Sequence, residues 1–273
     1  MRRSTVLAVA AATVSLAALV GCDDDKAPTA SPTAPATTAG AAPTATPTPT
    51  PTPTAAPTPT AAATTATAVA TTAGGAIDPE KALALAEATP YAATQDFTTE
   101  AGPLNSRTKA RVNLNGPVRS GRLTESMSAA GGDVAGGSDT PNVVVTGDGT
   151  TYIRSGSSWR TSPLGDRVAD YHGYAKALLA LGPSARTGME DCEGTPCFHL
   201  AGTVGVEQVK PLEAEQYKIL KSKGVEGFRL DQWIDAQGRT VRFDRKTDLG
   251  GVQIRTRGTF RDFGPVERID PPR

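Results

Sequence analysis

The sequence lacks charge over a long segment near its beginning, since no Asp, Glu, Lys or Arg occurs from Ala27 to Ile77. The same segment has no aromatic residue, because all 13 Phe, Tyr and Trp residues of the chain follow Ala76. It consists almost wholly of Ala, Thr, Pro and Gly, which cannot bury enough apolar surface to offset the entropy lost on ordering. Of the 273 residues, we therefore expect residues 22–77 to form a disordered tether and residues 78–273 to form one folded domain.

Other absences exclude classes of function. Lys plus Arg equals Asp plus Glu at 28 each, which excludes a strongly basic nucleic-acid-binding protein. The sequence has no Gly-x-Ser-x-Gly nucleophile elbow, no Gly-x-x-x-x-Gly-Lys phosphate loop and no His-Glu-x-x-His zinc motif. Gly147-Asp148-Gly149 lacks the third glycine and the following helix of a dinucleotide loop. We therefore predict that the protein is not an enzyme and uses no cofactor.

The first 21 residues have the pattern of an export signal. Arg2 and Arg3 precede an uncharged run from Ser4 to Gly21 that is rich in Ala, Val and Leu. This run is short and rich in Ala, whereas a permanent transmembrane helix needs about 20 strongly apolar residues. Residues 1–21 are therefore predicted to be a signal peptide.

The end of this segment, Leu19-Val20-Gly21-Cys22, resembles the lipobox of bacterial lipoproteins. The resemblance implies cleavage before Cys22, transfer of a diacylglyceryl group to the Cys22 thiol and acylation of the freed amine. Two or more acyl chains hold a protein stably at a membrane. The protein is therefore expected on the extracytoplasmic face of the cell membrane, with that membrane as its partner through the lipid anchor. The alternative is an incidental cysteine at the end of a signal peptide.

Three segments of the folded domain carry helix signals. Asp78-Pro79-Glu80 combines a capping carboxylate with proline at the first helical position, which predicts a helix to about Thr89. Asp166 is the expected cap of a second helix, whose apolar residues recur at helical spacing through Leu179. A third helix is expected from Leu212 to Lys223.

Alternation of polar and apolar residues predicts the strands. The clearest pattern is a meander of three strands within residues 228–263, and four Gly in residues 129–139 predict a loop. The other expected strands span residues 107–114, 123–127, 143–145, 151–154 and 159–161. This order predicts an α+β domain in which helices pack on the concave face of a large curved antiparallel sheet.

The C-terminal strands carry a family resemblance. Residues 228–235, residues 260–264 and residues 269–272 are similar to the closing strands of the LolA-like lipoproteins, including the actinobacterial LppX and LprG type. Residues 198–204 resemble the strand that precedes the penultimate helix of that family. The resemblance implies a half-barrel sheet closed by helices around an apolar cavity that holds acyl chains.

The expected cavity leaves two alternative functions open. Small inward residues either line a void, in which case the protein binds or carries a lipid or other apolar molecule, or they allow close helix packing. In the second case the protein is a tethered interaction or sensor module with a packed core and no ligand. The candidate lining residues are Ala110, Val112, Leu114, Val168, Leu178, Leu179, Val252, Ile254, Thr256 and Gly258.

Cys192 and Cys197 bracket a turn sequence in a chain that is predicted to be exported, which favours a disulfide across a hairpin. A metal site that also uses His199 is the alternative, but the cysteine spacing is too long for a zinc knuckle and no second cysteine pair exists. No metal site is therefore expected. His172 and His199 are interpreted as ordinary surface or boundary residues.

The last strand presents Arg255, Arg257 and Arg261 on its outward face. We interpret them as solvated arginines that pair with carboxylates of neighbouring strands. Contact with anionic lipid is the alternative.

Replacing Cys22 tests the anchor. Cys22→Ser is expected to leave the protein unprocessed or to release it from the membrane fraction, because a hydroxyl cannot take the place of the thiol. Electrophoretic mobility and detergent-dependent fractionation measure both effects. If neither changes, Cys22 is not lipidated.

Overall fold

The computed structural model describes residues 70–71, 75–129, 132–134, 140–163 and 167–273. The predicted signal peptide, Cys22 and nearly all of the tether lie outside the described residues, and so does Asp166. Among the helices of the described part, none is long and apolar enough to cross a membrane.

The helices of the described part are α1 (Pro79–Ala88), α2 (Tyr171–Leu179), α3 (Val206–Val209) and α4 (Ala214–Ser222). Helix α1 begins as predicted, because Asp78 Oδ1 accepts a hydrogen bond of 3.1 Å from the Lys81 amide. Helix α2 begins later than predicted, at a cap formed by Asp170, which accepts from the Gly173 amide at 2.9 Å. Val168 therefore precedes the helix, and its carbonyl accepts a hydrogen bond from Arg119 Nε at 2.8 Å instead.

Within the described residues, twelve strands form one antiparallel sheet. Along the sheet the order is β7-β6-β5-β3-β2-β1-β12-β11-β10-β9-β8, and the short β4 pairs with β3 off this path. The first strand of the chain therefore lies beside the last one, and this pairing joins an N-terminal half to a C-terminal half. The strands are β1 (Tyr91–Ala101), β2 (Leu104–Leu114), β3 (Ser120–Ala129), β4 (Gly132–Val134), β5 (Val143–Val145), β6 (Thr151–Ser155), β7 (Ser158–Ser162), β8 (Arg186–Cys192), β9 (Thr195–Gly205), β10 (Gly227–Ile234), β11 (Thr240–Leu249) and β12 (Val252–Gly264).

The predicted α+β class, with helices packed on a large open antiparallel sheet, is confirmed by this strand order. The loop expected at residues 129–139 is corrected in part, since residues 132–134 add a short strand to β3. Gly-rich sequences have little strand propensity of their own, and here pairing to a longer neighbour decides the local structure.

Side chains of the central strands alternate between an inner face, which packs against α2, and an outer face. On the inner face the ring of Phe97 contacts those of Phe243 and Phe260, and all three contact the ring of Tyr171, with ring centroids 4.8–6.1 Å apart. Tyr174 extends the group toward Phe243 at 6.2 Å. We call these five residues the aromatic cluster. Each buried ring of this kind contributes roughly 1.5–3 kcal/mol to folding.

The outer face carries ion pairs between neighbouring strands. Arg255 pairs with Asp244 at 2.5 Å, and Arg257 pairs with Glu100. These contacts agree with the predicted pairing of Arg255 and Arg257 with carboxylates of neighbouring strands. Arg261 instead lies 3.7 Å from Asp262 of its own strand. Exposed pairs of this type contribute about 0–1 kcal/mol each.

The hairpin of β8 and β9 holds the bonded pair Cys192 and Cys197, with sulfurs 2.06 Å apart and Cα atoms 6.0 Å apart. Glu193 and Gly194 form the turn, both at positive φ. The geometry agrees with the predicted disulfide and fixes the end of the edge strand β8.

Mass spectrometry tests the disulfide. The unreduced chain is expected to be lighter than the reduced chain by the mass of two hydrogen atoms, and Cys192 and Cys197 are expected to resist thiol labelling after unfolding without reductant. The Cys192→Ser, Cys197→Ser double variant should still fold, because closing so short a loop stabilises by only about 2 kcal/mol. Stoichiometric labelling of both residues in the oxidised chain would contradict the bond.

Candidate ligand-binding face

The structure places the predicted lining residues on or beside the inner face. Six of them, Ala110, Val112, Leu114, Val168, Leu178 and Ile254, are buried members of one apolar cluster, and Leu179 and Val252 pack against it half-buried. Thr256 is buried and hydrogen-bonded through its hydroxyl to Thr99 at 3.1 Å. The strand residues of this set therefore lie on the inner face of the sheet, as the alternation predicted.

Gly258 requires a correction, because it does not border open space. A Cβ atom at Gly258 would lie 1.5 Å from Cδ1 of Phe97. The register explains this contact, since Gly258 stands opposite Phe97 on β1 and opposite Phe243 on β11. The glycine therefore gives room to the aromatic cluster, and the centre of the inner face is filled by protein.

Beside the aromatic cluster lies a patch of aliphatic side chains. Ala110, Leu123 and Val143 stand opposite one another across β2, β3 and β5, and Val112 and Val145 lie in the adjacent inner row. We call these five residues the apolar patch. Each is at most 6% exposed, although the close helix–strand contacts of the described helices fall on β9, in the other half of the sheet.

Three buried polar atoms surround the apolar patch, and sequence reasoning missed all of them. Gln95 lies opposite Ala110, Thr151 lies opposite Val145, and Glu125 follows Leu123 by two positions on β3. Among the described residues, Gln95 Nε2, Thr151 Oγ1 and Glu125 Oε1 have no hydrogen-bond partner. A buried polar group without a partner costs about 1–3 kcal/mol. The strand alternation could have predicted that these three side chains face inward, because each occupies the same alternate positions as the inward apolar residues of its strand.

Glu125 combines burial with a fixed backbone. Its amide donates to Asn142 Oδ1 at 2.8 Å, and its carbonyl accepts from Asn142 Nδ2 at 2.7 Å. The side chain as a whole is partly exposed, but Oε1 is buried. Burial raises the pKa of this carboxyl to about 7, and the positive charge of Arg167 opposes that rise. Glu125 therefore changes its charge near neutral pH.

A second set of polar side chains, which includes Tyr171, Tyr174 and Gln232, lies between α2 and the C-terminal half of the sheet. Burial, followed by the negative charge of Glu213, raises the pKa of both Tyr171 and Tyr174, and the charge of Arg245 opposes this effect. Both hydroxyls therefore remain protonated. Gln232 Nε2 donates to the Tyr171 carbonyl at 2.8 Å, which ties the first turn of α2 to β10.

On the outer face His199 joins three strands. Its Nδ1 lies 2.7 Å from Glu190 Oε1 and its Nε2 lies 3.1 Å from Asp231 Oδ1. The ring stacks on Trp233 at 4.2 Å, and Trp233 Nε1 donates to Glu190 Oε2 at 2.7 Å. Because both neighbouring cysteines are in the disulfide, the alternative metal site has no thiolate. Over the described ranges, no group of three or more His, Cys, Asp or Glu side chains is arranged to hold a metal ion.

Comparison with known proteins adds a limited family context. No protein-family model matches the chain. An uncharacterized 31.2 kDa protein from the rplA-rplJ intergenic region of Streptomyces griseus is 29% identical over 105 residues, which are 36% of this chain and 34% of that protein. The chain thus spans about a third of the length of this curated relative.

Two solved structures share the layout of the chain. LprF from Mycobacterium bovis has 16% identity and a TM-score of 0.43, over 72% of this chain and 99% of LprF. The lipoprotein LppX of Mycobacterium tuberculosis has 17% identity and a TM-score of 0.35, over 70% of this chain and 100% of LppX. The chain resembles LppX-type lipoproteins. At these TM-scores the likeness to LppX concerns layout and carries no information about a ligand.

Gly258→Ala tests the packing of the aromatic cluster. The added methyl group collides with the Phe97 ring, which its neighbours hold in place, so we expect a loss of about 1–3 kcal/mol in the free energy of unfolding. Urea denaturation measures the loss, and Gly147→Ala is the control because a Cβ atom there meets nothing within 4 Å. In a Phe97→Leu background the penalty should shrink. An equal loss of stability in both backgrounds would show that the cost of Gly258→Ala does not arise from a collision with Phe97.

The raised pKa of Glu125 predicts a pH dependence of stability. A carboxyl that holds its proton more tightly in the folded state than in the unfolded state stabilises the fold at low pH, and this contribution falls as pH rises through about 7. Unfolding free energies measured from pH 5 to pH 8 should therefore decrease less in Glu125→Gln than in the wild type. Glu226→Gln, at an exposed position, should retain the wild-type slope. An unchanged slope in Glu125→Gln would contradict the assignment.

Proposed function

We propose that the protein is a membrane-anchored lipoprotein that binds or carries a lipid or other apolar molecule at the inner face of its sheet. The observation that carries the proposal is the apolar patch surrounded by three buried polar atoms without partners. A core that only supports the fold pairs nearly all of its buried polar atoms. Unsatisfied atoms around an aliphatic surface are typical of a site built for a mostly apolar ligand with few polar groups.

The register of the strands gives the site its dimensions. Neighbouring strands lie about 4.8 Å apart, so the distance from Gln95 on β1 to Thr151 on β6 spans roughly 20 Å. This width accommodates an acyl chain that lies across β2, β3 and β5. The apolar patch supplies the contact surface, and burial of each methylene of the chain contributes about 0.8 kcal/mol.

The N-terminal residues support the location that we propose. The lipobox resemblance at Leu19–Cys22 supports an anchor on the extracytoplasmic face of the membrane, and the Ala/Thr/Pro-rich segment to residue 77 supplies a tether between anchor and domain. Roughly 50 residues of this composition reach on the order of 150 Å when extended. An anchored carrier with such a reach can collect or deliver a ligand away from the membrane surface.

The aromatic cluster favours a second candidate. Because Phe97 fills the space above Gly258, the centre of the inner face packs like an ordinary core. If the same density continues over the apolar patch, the protein is a tethered interaction or sensor module without a ligand. The two functions can be distinguished by enlarging a side chain of the apolar patch. The larger side chain enters the ligand space in the first case and collides with packed protein in the second.

Ala110→Leu distinguishes the two functions. If a ligand occupies the space above Ala110, the larger side chain should reduce lipid co-purification and Nile red uptake of the full chain about tenfold, with little change in stability. If the patch is packed by protein, the same variant should lose about 1–3 kcal/mol of stability. Native mass spectrometry, Nile red fluorescence and urea denaturation report the outcome.

Thr124→Leu is the matched control for this experiment, because it adds a similar side chain next to Leu123 on the outer face. It should retain wild-type lipid uptake. A wild-type chain that co-purifies with no lipid and takes up no Nile red would decide for the interaction module.

A further inference from the structure

One of the buried polar atoms without a partner beside the apolar patch is Oε1 of Glu125. The residue lies on the inner face of β3, opposite Thr108 of β2 and two positions from Leu123 of the apolar patch. The side-chain amide of Asn142 bonds both the N–H and the C=O of Glu125, which fixes the backbone of the strand at this residue. Oε1 is buried and meets no hydrogen-bond partner in the described part of the chain. The carboxyl thus lies beside the apolar patch with one oxygen that is buried and has no partner among the described residues.

We propose that Glu125 in its protonated form donates a hydrogen bond to an acceptor oxygen of the bound lipid, and that the site therefore selects acyl esters over hydrocarbons. The proposal rests on the proposed function. A neutral carboxyl offers one O–H donor, whereas an ionised carboxylate only accepts. An ester oxygen has no proton to give, so it pairs with the neutral acid and not with the anion.

The surroundings of Glu125 determine when it can donate. From the segment before α2, Arg167 acts on it with a positive charge. Across the strand pair stands the neutral Thr108, and toward β5 stands the neutral Asn142. Burial outweighs the effect of Arg167 and places the pKa near 7. Below this pH the donor is present, and as pH rises through it the donor is replaced by a buried anion that faces the ester oxygen with lone pairs.

Release of the ligand is thereby coupled to pH. Since binding to the protonated form and proton binding are linked reciprocally, a bound ester should also raise the pKa of Glu125 further. The expected effect is that of one buried hydrogen bond, about tenfold in affinity.

The experiment measures displacement of Nile red from the full chain by methyl oleate and by 1-octadecene, both delivered from methyl-β-cyclodextrin. Neither competitor carries a titratable group, so any pH dependence comes from the protein. The wild type is expected to bind methyl oleate about tenfold more tightly at pH 6 than at pH 8, and to bind 1-octadecene equally at both.

Two variants at the same position separate the donor from the shape of the side chain. Glu125→Gln keeps an N–H donor that does not titrate, so it should bind methyl oleate with the same affinity at pH 6 and pH 8. Glu125→Leu has no donor and should bind methyl oleate as weakly as 1-octadecene at both pH values. Glu226 is exposed and lies between α4 and β10. The control variants Glu226→Gln and Glu226→Leu should bind both competitors with the wild-type affinity and pH dependence.

Three outcomes overturn the inference. Equal binding of methyl oleate and 1-octadecene by the wild type would contradict the hydrogen bond from Glu125 to the ester and would leave the proposed function intact. Retained preference for the ester in Glu125→Leu would assign the donor to another residue. Failure of the wild type to bind Nile red or either competitor at any pH would overturn the proposed function together with this inference.

Discussion

The pairing of the first strand with the last is the contact on which the rest of the structure depends. Strand β1 meets β12 in antiparallel register from Thr94 to Ala101, and this is the seam between the two halves of the sheet. Across it Phe97 occupies the space above Gly258, so the aromatic cluster forms only when the chain is complete. Contacts at such large sequence separation are slow to form, because the entropy of loop closure precedes any gain from packing.

The same seam separates the functional regions of the inner face. In the C-terminal half, α2 packs against β9, and the aromatic rings at the seam contact Tyr171 of the same helix. The N-terminal half presents the apolar patch, with Gln95 at the seam, Glu125 within the sheet and Thr151 toward its edge. A filled centre and a site beside it can therefore coexist on one sheet, and the strand register determines which residues belong to each.

Local signals in the sequence were sufficient for much of the fold. The cap at Asp78, the alternation in β2 and β12 and the turn between Cys192 and Cys197 each depend on neighbouring residues, and each was predicted. The start of α2 was predicted wrongly, because the carbonyl of Val168 bonds to Arg119, a residue nearly 50 positions away. Gly258 was predicted either to line a void or to allow close packing. The sequence could not decide between them, because its neighbour Phe97 belongs to a strand from the other end of the domain. The polar atoms around the patch were visible in the alternation but look like ordinary strand residues until the burial of their atoms is known.

The open edge at β8 has a consequence for contacts between two copies of the chain. An edge strand exposes unpaired backbone groups that a second copy can extend into a continuous sheet. Here the register of β8 is interrupted near Gly188, and acidic side chains at Glu190, Asp191 and Glu193 follow before the disulfide closes the hairpin. Two copies brought edge to edge would place these like charges together. The charges therefore oppose pairing of β8 with the β8 strand of a second copy.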